Sequence, residues 1–329
     1  MSAHQSIVAL VSAFNEEDII GEVIGALVQE GVQVYVIDNH STDGTRSQVE
    51  AFIGRGVIGI ETFPPERPAD DAFAWAGILR RKEELAQSIA ADWFIHSDAD
   101  EFRESPWPNE TLQAGVERAA AAGYNAIDFE VLNFVPTTGD PPAGSVRDRL
   151  VYHEPGQAFD RRQIKCWKRT DERVDLVSSG GHSVQFAGRH VCPIRFLLRH
   201  YPIRSQAHGE RKVFRERLGR FSEEERNKGW HVQYDTLRAE MTFVKNPSDY
   251  TRYDPDRVRL DLLLRTRDAE RLQQALAVTS AEADRLARTV DRQATRLAEV
   301  EQTLAGMTQS ISWKITGPLR RLDRLIRKR

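Results

Sequence analysis

Three stretches of sequence decide the fold: IVALVSAFNEED at residues 7–18, VYVIDNHSTDGT at residues 34–45 and DWFIHSDADEF at residues 92–102. In each of them a short apolar run ends in acids or amides. Such runs are typical of strands buried on both faces of a parallel sheet, and functional groups in these folds collect at the C-terminal ends of strands. The stretches therefore predict an α/β fold whose mostly parallel central sheet has a functional edge.

The segments between these strands complete the pattern. Patterns of apolar residues predict four helices and two further strands: helices at residues 18–29, from residue 45, at 73–90 and at 111–122, and strands at 57–60 and 126–131. Helices that alternate with strands flank such a sheet. The chain of 329 residues is 40 % hydrophobic and 29 % charged, which suits this domain plus additional material and excludes a disordered or collagen-like chain.

We predict three parts along the chain. Residues 1–258 form the α/β domain, and a loop-like segment, PTTGDPPAG, separates its halves at residues 1–135 and 136–258. A coiled-coil helix follows at residues 259–308, and a basic amphipathic tail occupies residues 309–329.

The predicted coiled-coil helix carries a heptad repeat. Residues 256–305 contain no Gly or Pro, and from Leu272 to Met307 mostly apolar residues recur at alternating spacings of four and three, with the first heptad position at Leu276. A narrow apolar seam of this kind predicts a two-stranded coiled coil, so we expect a homodimer through Leu272–Met307. A helix folded back on the α/β domain is the alternative.

The net charge of −3 hides a basic tail, because residues 311–329 hold seven basic residues and one acid. With Trp313 at its start and leucines at helical spacing, this tail predicts peripheral contact with the anionic inner face of a membrane. A solvated, frayed end is the alternative.

No window approaches 18 consecutive apolar residues and the N-terminus lacks a basic signal-peptide region, so we expect no transmembrane helix and a cytoplasmic protein. The acidic body argues against nucleic-acid binding.

Two familiar motif classes are not supported. Residues 54–59 match G-x-G-x-x-G, but they follow a predicted helix and enter a strand, which is the reverse of a dinucleotide site. Cys166 and Cys192 lack C-x-x-C spacing, so they indicate neither a zinc site nor a redox pair. We expect both to be buried as small apolar side chains.

The segment Asp98-Ala99-Asp100 is the sharpest chemical signal. Side chains two residues apart in an extended segment point the same way, so both carboxylates can bind one divalent cation. Alternatively, one of them binds the cation and the other accepts a hydrogen bond from a hydroxyl group. A divalent ion there would neutralise a phosphate leaving group.

Two acids after the first two strands, Asp38 and Glu16, each have two alternative roles. Asp38 can accept a hydrogen bond from a nucleobase or a ribose hydroxyl, or it can cap the next helix. Glu16 can serve a nucleotide or can be a first-turn acid of its own helix. Asp43 lies beside Gly44, and we interpret it as a helix cap.

Imidazoles and cations concentrate between residues 182 and 212. The histidines there can supply a metal ligand or an acid/base group. The cations Arg204, Arg211 and Lys212, with His208 among them, are candidates for contact with phosphate oxygens or an acceptor.

The ordered motifs SAFNEEDII, VIDNHSTDGT and DWFIHSDADEF resemble the inverting family 2 glycosyltransferases with a GT-A fold. The run IRFLLRHYPIRSQAHGERKVFRER is similar to a bacterial branch that uses Asp-x-Asp-Glu, and the tail segment SISWKITGPLRRL is similar to a C-terminal element of bacterial glycosyltransferases. The resemblance covers residues 5–235. It implies a nucleotide-binding half at 1–135 and an acceptor half at 136–258. It also implies Mn²⁺- or Mg²⁺-dependent hexosyl transfer from a nucleoside diphosphate to a hydroxyl in cell-surface polysaccharide or glycan synthesis.

The resemblance assigns the nucleotide-binding loop residue by residue. It implies that Ala13, Phe14 and Glu16 lie along the nucleoside and that Asp38 reads the base. Asp98 would contact ribose or metal.

The resemblance also implies a metal centre at the diphosphate. Asp100 would bind the ion there. His200 is the first candidate for a further metal ligand, and His182 is the second. Arg80 or Arg81, on the preceding helix, would contact the diphosphate.

The chain departs from the family pattern at the general base. Many members carry a Glu-Asp pair roughly ninety residues after the metal motif, and the segment between Gly180 and His200 contains none. The base therefore stays unassigned among five candidates: Glu101, Asp128, Glu130, Asp160 and His182.

The missing pair motivates a second hypothesis, in which the chain is a catalytically degenerate scaffold that binds glycan or nucleotide and assembles through its coiled coil. A nucleotidyltransferase is a third, weaker reading. The Gly-rich phosphate loop that such an enzyme needs after its first strand is replaced here by SAFNEED.

Overall fold

The computed structural model describes residues 4–68, 75–157, 160, 163–217, 241–318 and 320, with the backbone alone at residues 217, 266–277 and 313. The chain divides into two compact units, Met1–Thr266 and Arg267–Arg329.

In the described part of the chain, ten strands form one sheet: β1 (Ile7–Ala13), β2 (Gln33–Asp38), β3 (Val57–Thr62), β4 (Trp93–Asp98), β5 (Glu101–Glu104), β6 (Ala126–Val135), β7 (Tyr152–Pro155), β8 (Ile164–Lys168), β9 (Val191–His200) and β10 (Thr251–Arg252). The order β3-β2-β1-β4 is parallel throughout, as the three N-terminal stretches predict. The predicted α/β fold with a parallel central sheet is confirmed.

The helices lie between these strands and after them: α1 (Ile20–Gln29), α2 (Thr45–Glu50), α3 (Trp75–Ser88), α4 (Leu112–Ala121), α5 (Val146–Arg149), α6 (Gln206–Glu210), α7 (Pro255–Gln309) and α8 (Ile311–Ile315). A π-helical segment, Arg211–Arg217, continues α6.

Side chains of β1 alternate between two apolar cores, one on each face of the sheet. Ile7, Ala9 and Val11 pack into the core that includes α1 and α4, whereas Val8 and Leu10 pack into the core that includes α3. Because successive side chains of a strand point to opposite faces, a strand covered on both sides must be apolar throughout. This explains the unbroken apolar run at the N-terminus.

Antiparallel strands build the second half of the sheet. Strand β8 lies antiparallel to both β4 and β6, and β7 and β10 extend the sheet beyond β6. Strand β9 runs parallel to β6 and antiparallel to β5, in a register that sets His200 opposite Glu101. The pairing of β5 with β9 therefore brings a late histidine beside the Asp-x-Asp segment.

The predicted long C-terminal helix is confirmed as α7, which spans 55 residues. Pairing of this helix with a second chain stays a prediction. The predicted tail lies partly outside the described residues, which end at residue 320, so its membrane contact also stays a prediction.

The described residues confirm the expectation for the two cysteines. Cys166 and Cys192 are both buried free thiols. None of the helices described combines the length and the apolar run that a bilayer span needs.

Candidate active site

A cavity of about 160 Å³ lies at the C-terminal edge of β1 and β4. Ser12, Asn39, Trp75, Ile78, Ala99 and Pro202 contribute to its wall. The remaining lining residues are seven of those predicted from the sequence: Ala13, Phe14, Glu16, Asp98, Asp100, His200 and Lys212. The structure therefore brings the first and third acidic motifs together with the late histidine and cation segment.

Asp98 is held at the end of β4 by groups on three other strands. The Ser12 hydroxyl donates to its Oδ1 at 3.0 Å, and Lys165 Nζ lies 4.0 Å from its Oδ2. The backbone N–H of Asp98 donates to Glu101 Oε2 at 3.0 Å. Burial would raise the pKa of Asp98, but the charges of Lys165 and Lys82 outweigh it and hold the pKa below its ordinary value. Asp98 is therefore an ionised carboxylate.

Asp100 faces an imidazole on one side and an ammonium on the other. Its Oδ1 is 3.7 Å from His200 Nε2, and its Oδ2 accepts from Lys212 Nζ at 2.8 Å. Burial would raise the pKa of Asp100, but Lys212 and His200 lower it further than burial raises it. The Nδ1–H of His200 donates to Asn133 Oδ1 at 2.8 Å, which orients the ring with Nε2 on the Asp100 side.

Glu16 is engaged by two cations of the late segment. Its Oε1 accepts from Lys212 Nζ at 2.8 Å, and its Oε2 accepts from Arg204 Nη2 at 2.5 Å. Arg204 also binds both oxygens of Asp18, at 2.6 and 2.8 Å. Burial would raise the pKa of Asp18, but the hydrogen bonds and charge of Arg204 lower it to about 2. Glu16 thus serves an ion-pair network at the cavity wall.

The donor types at Asp98, Asp100 and His200 suit a hard divalent cation. Two ionised carboxylates and an imidazole are ligand types that Mn²⁺ accepts, and carboxylates suit Mg²⁺ as well. Their ligand atoms are too widely spaced to form a compact triad. Among the described residues, the trio with ligand atoms within 4.8 Å of one another is Glu16, Asp18 and His208.

All three residues of that trio are bound by Arg204 instead. Arg204 donates to both carboxylates through its side chain, and its backbone N–H donates to His208 Nδ1 at 3.2 Å. Burial, together with the charges of Arg204 and Lys212, lowers the pKa of His208 to about 2, so the ring is neutral. His208 therefore orients the late segment and does not contact the cavity.

A buried polar layer beneath the cavity was not predicted from the sequence. Lys82 is fully buried, and its ammonium donates to Ser12 Oγ, His96 Nδ1 and the carbonyl of Ser97 at 2.8–3.0 Å. Lys82 lies on the stripe of α3 that also buries Ile78 and Leu79, which is the signal that could have identified it.

Glu101 belongs to the same layer. It binds Lys165 Nζ at 2.8 Å and Arg103 Nη2 at 2.6 Å. Burial would raise the pKa of Glu101, but these two cations lower it to about 2. Glu101 is therefore a permanent anion that supports the Asp98 loop.

Several residues predicted for the nucleotide or its phosphates do not line the cavity: Asp38, Arg80, Arg81, Arg204, His208 and Arg211. Asp38 is buried at the end of β2, where its Oδ1 accepts from the backbone N–H of Ser41, and the neighbouring Asn39 lines the cavity instead. Arg81 is bound to Glu61 on β3. Arg80 is exposed and lines a different cavity.

None of the five candidate general bases lines the cavity in the described part of the chain. Asp128 pairs with Arg195, and Glu130 lines a separate cavity of about 770 Å³ beside β7 and the start of α7. Asp160 and His182 both bind the side-chain amide of Gln163. Glu101 is the fifth candidate base. Its two carboxylate oxygens are bound by Lys165, Arg103 and the backbone N–H of Asp98 in the buried layer.

Residues 8–62 match the family model for glycosyl transferase family 2. Among solved structures, crystal structures of S. aureus TarS are similar to this chain. One matches at 12 % identity over 60 % of this chain and 36 % of that chain, with a TM-score of 0.35. Another, in complex with UDP-GlcNAc, matches at 13 % identity over 50 % of this chain and 45 % of that chain, with a TM-score of 0.29.

A comparison with curated proteins finds no match to this chain. The segment matched by the family model runs from β1 to β3 and contains the first two acidic motifs, SAFNEED and DNHSTDGT. The N-terminal segment of this chain is therefore similar to family 2 glycosyltransferases, as its motifs predict.

Proposed function

We propose that this chain transfers a sugar from a nucleoside diphosphate to a hydroxyl acceptor, with inversion at the anomeric carbon and with a divalent metal ion. The observation that carries the proposal is the meeting of ionised Asp98 and Asp100 with His200 in one cavity at the C-terminal edge of the parallel strands. Polysaccharide or glycan synthesis in the cytoplasm, with a hexosyl donor, remains the finer prediction from the motifs.

The chain's own groups prepare the site for a diphosphate. Ser12 and Lys165 hold Asp98 as an anion, and Asn133 orients the ring of His200 so that Nε2 faces Asp100. A divalent cation at these ligands would neutralise negative charge on the departing diphosphate. Phe14 and Trp75 supply apolar wall beside the acids.

The test is turnover of a panel of nucleoside diphosphate sugars by the full chain, with and without EDTA. We expect transfer or donor hydrolysis that EDTA abolishes, and a loss of at least about a hundredfold in Asp100→Asn. Asp284→Asn, on the exposed surface of α7, is the matched control and should keep wild-type activity. No turnover of any donor by the wild type, or full activity in Asp100→Asn, would refute the proposal.

The positions of the base candidates favour a second candidate function, a nucleotide- or glycan-binding scaffold without turnover. None of the five lines the described cavity, and Lys212 already neutralises carboxylates there. Calorimetric titration with UDP and Mn²⁺, run beside the turnover assay, separates the two functions. Tight metal-dependent binding with measurable turnover supports the enzyme, whereas binding without turnover supports the scaffold.

A further inference from the structure

An apolar stripe on α7 is exposed in the second compact unit. Six large side chains of this stripe are each 59–62 % exposed: Leu286, Val290, Leu297, Val300, Leu304 and Met307. An exposed apolar stripe of this length along one helix marks a surface that another helix covers. Its alternating spacing of three and four is that of a two-stranded seam.

Polar residues within and beside the stripe specify its partner. With Val290, Leu297 and Leu304 at position a, Gln293 falls at position d, and its amide needs a hydrogen-bonding partner inside the seam. In a parallel, in-register pair Gln293 meets Gln293 of the second copy, and each amide can donate to the other's carbonyl. The parallel, in-register pair thus satisfies both amides within one layer of the seam.

Charges beside the seam favour the same arrangement. Arg296 occupies position g and Glu301 the following position e, and these positions face each other in a parallel pair. By the two-fold symmetry of such a pair, Arg296 and Glu301 would form two reciprocal ion pairs. Between residues 282 and 308, the remaining e and g positions are Ala or Thr, except for the acid Glu282. Like charges therefore do not oppose one another at these positions.

We propose that a second copy of this chain covers the α7 stripe as a parallel, in-register coiled coil. The inference is independent of the proposed activity, because it rests on residues of the second unit alone. Sedimentation equilibrium of the full chain should give twice the chain mass of 37.4 kDa. Leu297→Asp places a charge in the seam and should give the mass of one chain, whereas Gln302→Asp, at the outward position f, should leave the dimer intact.

A cysteine at position d tests the orientation. Val300→Cys should form a disulfide between copies under mild oxidation, because parallel in-register chains set this position against itself. The native thiols are buried and should not interfere. A wild-type mass of one chain, a dimeric Leu297→Asp variant, or a dimeric Val300→Cys variant that does not cross-link would each overturn the proposal.

A different observation carries a second inference, at the ammonium of Lys212. Its Nζ lies 2.8 Å from both Glu16 Oε1 and Asp100 Oδ2, and its side chain is 6 % exposed. The ammonium of Lys212 therefore occupies one oxygen of Asp100, a carboxylate that also belongs to the proposed metal site. Two cations at one carboxylate repel each other, so each weakens the binding of the other.

We infer that Lys212 and a divalent cation compete for Asp100, so that metal binding releases the ammonium from the carboxylate into the cavity. This inference rests on the proposed metal site but not on turnover. Lys212 is thus a positioning residue that keeps Asp100 ionised and paired until the metal binds.

Manganese binding to the full chain, followed by electron paramagnetic resonance, tests the competition. Lys212→Met should bind Mn²⁺ at least about fivefold more tightly than the wild type. Lys168→Met, which removes an exposed charge from β8, should bind as the wild type does. Lys212→Met affinity equal to or below that of Lys168→Met would overturn the inference.

Lysine acetylation of the wild-type chain provides a readout that needs no variant. Lys212 should be acetylated slowly without metal because it is buried, and several-fold faster at saturating Mn²⁺ or Mg²⁺. An unchanged rate at Lys212, with Lys168 as the internal exposed reference, would also overturn the inference. Loss of activity alone bears on the proposed function and not on this competition.

Discussion

Replacing Lys82 with methionine tests how the buried layer beneath the cavity is stabilised. The Lys82 ammonium is fully enclosed and donates to Ser12 Oγ at 3.0 Å, His96 Nδ1 at 2.9 Å and the Ser97 carbonyl at 2.8 Å. Burial lowers the pKa of Lys82 to about 7, against the attraction of Asp98. Met fills a similar volume but carries neither the charge nor the donors.

The depressed pKa makes stability depend on pH with a definite sign. Between a folded pKa of about 7 and an unfolded pKa of 10.5, the unfolded chain holds the Lys82 proton and the folded chain does not. The free energy of unfolding therefore rises with pH across this window. For these two pKa values, the rise that Lys82 contributes between pH 7 and pH 9 is about 2 kcal/mol.

Urea unfolding of the wild type and Lys82→Met at pH 7, 8 and 9 measures this contribution. The difference in free energy of unfolding between the two proteins should grow by about 2 kcal/mol from pH 7 to pH 9, in favour of the wild type. Lys168→Met, on the exposed side of β8, is the control and should parallel the wild type. Parallel pH profiles for Lys82→Met and wild type would refute the reasoning.

Three further substitutions test the network around the cavity. Arg204→Met should lower the free energy of unfolding by about 3–5 kcal/mol in urea, because it leaves the buried carboxylate of Glu16 without its 2.5 Å partner. Gly181→Ala should cost about 2 kcal/mol in the same assay, since φ is +92° and a Cβ would lie 2.8 Å from His96 Nε2. Asn133→Leu should weaken Mn²⁺ binding by roughly 10–100-fold in calorimetry, because the imidazole beside it loses its orienting acceptor.

The parallel half of the fold and the position of the acid pair could be predicted from the sequence, because both follow from local patterns. A strand segment covered on both faces is apolar at successive positions, as β1 is over residues 7–11 and β4 over residues 93–95. Acids directly after such a run must lie at the sheet's C-terminal edge, which is where Asp98 and Asp100 are found.

The supporting cations could not be predicted in the same way, because their roles depend on pairing between distant strands. Lys165 reaches Glu101 because β8 lies antiparallel to β4, across a separation of 64 residues. A sequence pattern contains no record of that register.

Helix periodicity, by contrast, held a signal that distinguishes Lys82 from its neighbours. The buried positions of α3 include Ile78, Leu79, Leu85 and Ala86, and Lys82 is the charged residue three and four places from them. Arg81 lies about 100° away around the helix and turns to Glu61 on β3. A lysine on an apolar stripe indicates a buried functional group more strongly than exposed arginines beside it.

Charge balance connects this network to the proposed metal dependence. Around the cavity, the described side chains place five carboxylates against five basic groups: Glu16, Asp18, Asp98, Asp100 and Glu101 against Lys82, Arg103, Lys165, Arg204 and Lys212. The net charge of these side chains is therefore close to zero before any donor enters. It becomes negative when Lys82, with a pKa of about 7, loses its proton. A nucleoside diphosphate would add negative charge. The five basic groups are already paired with carboxylates, so neutralising the diphosphate with one of them would leave a buried carboxylate unpaired. A divalent cation in place of Lys212 at Asp100 would resolve this conflict, because it would compensate both the carboxylate and the diphosphate, and the proposed release would leave the ammonium in the cavity.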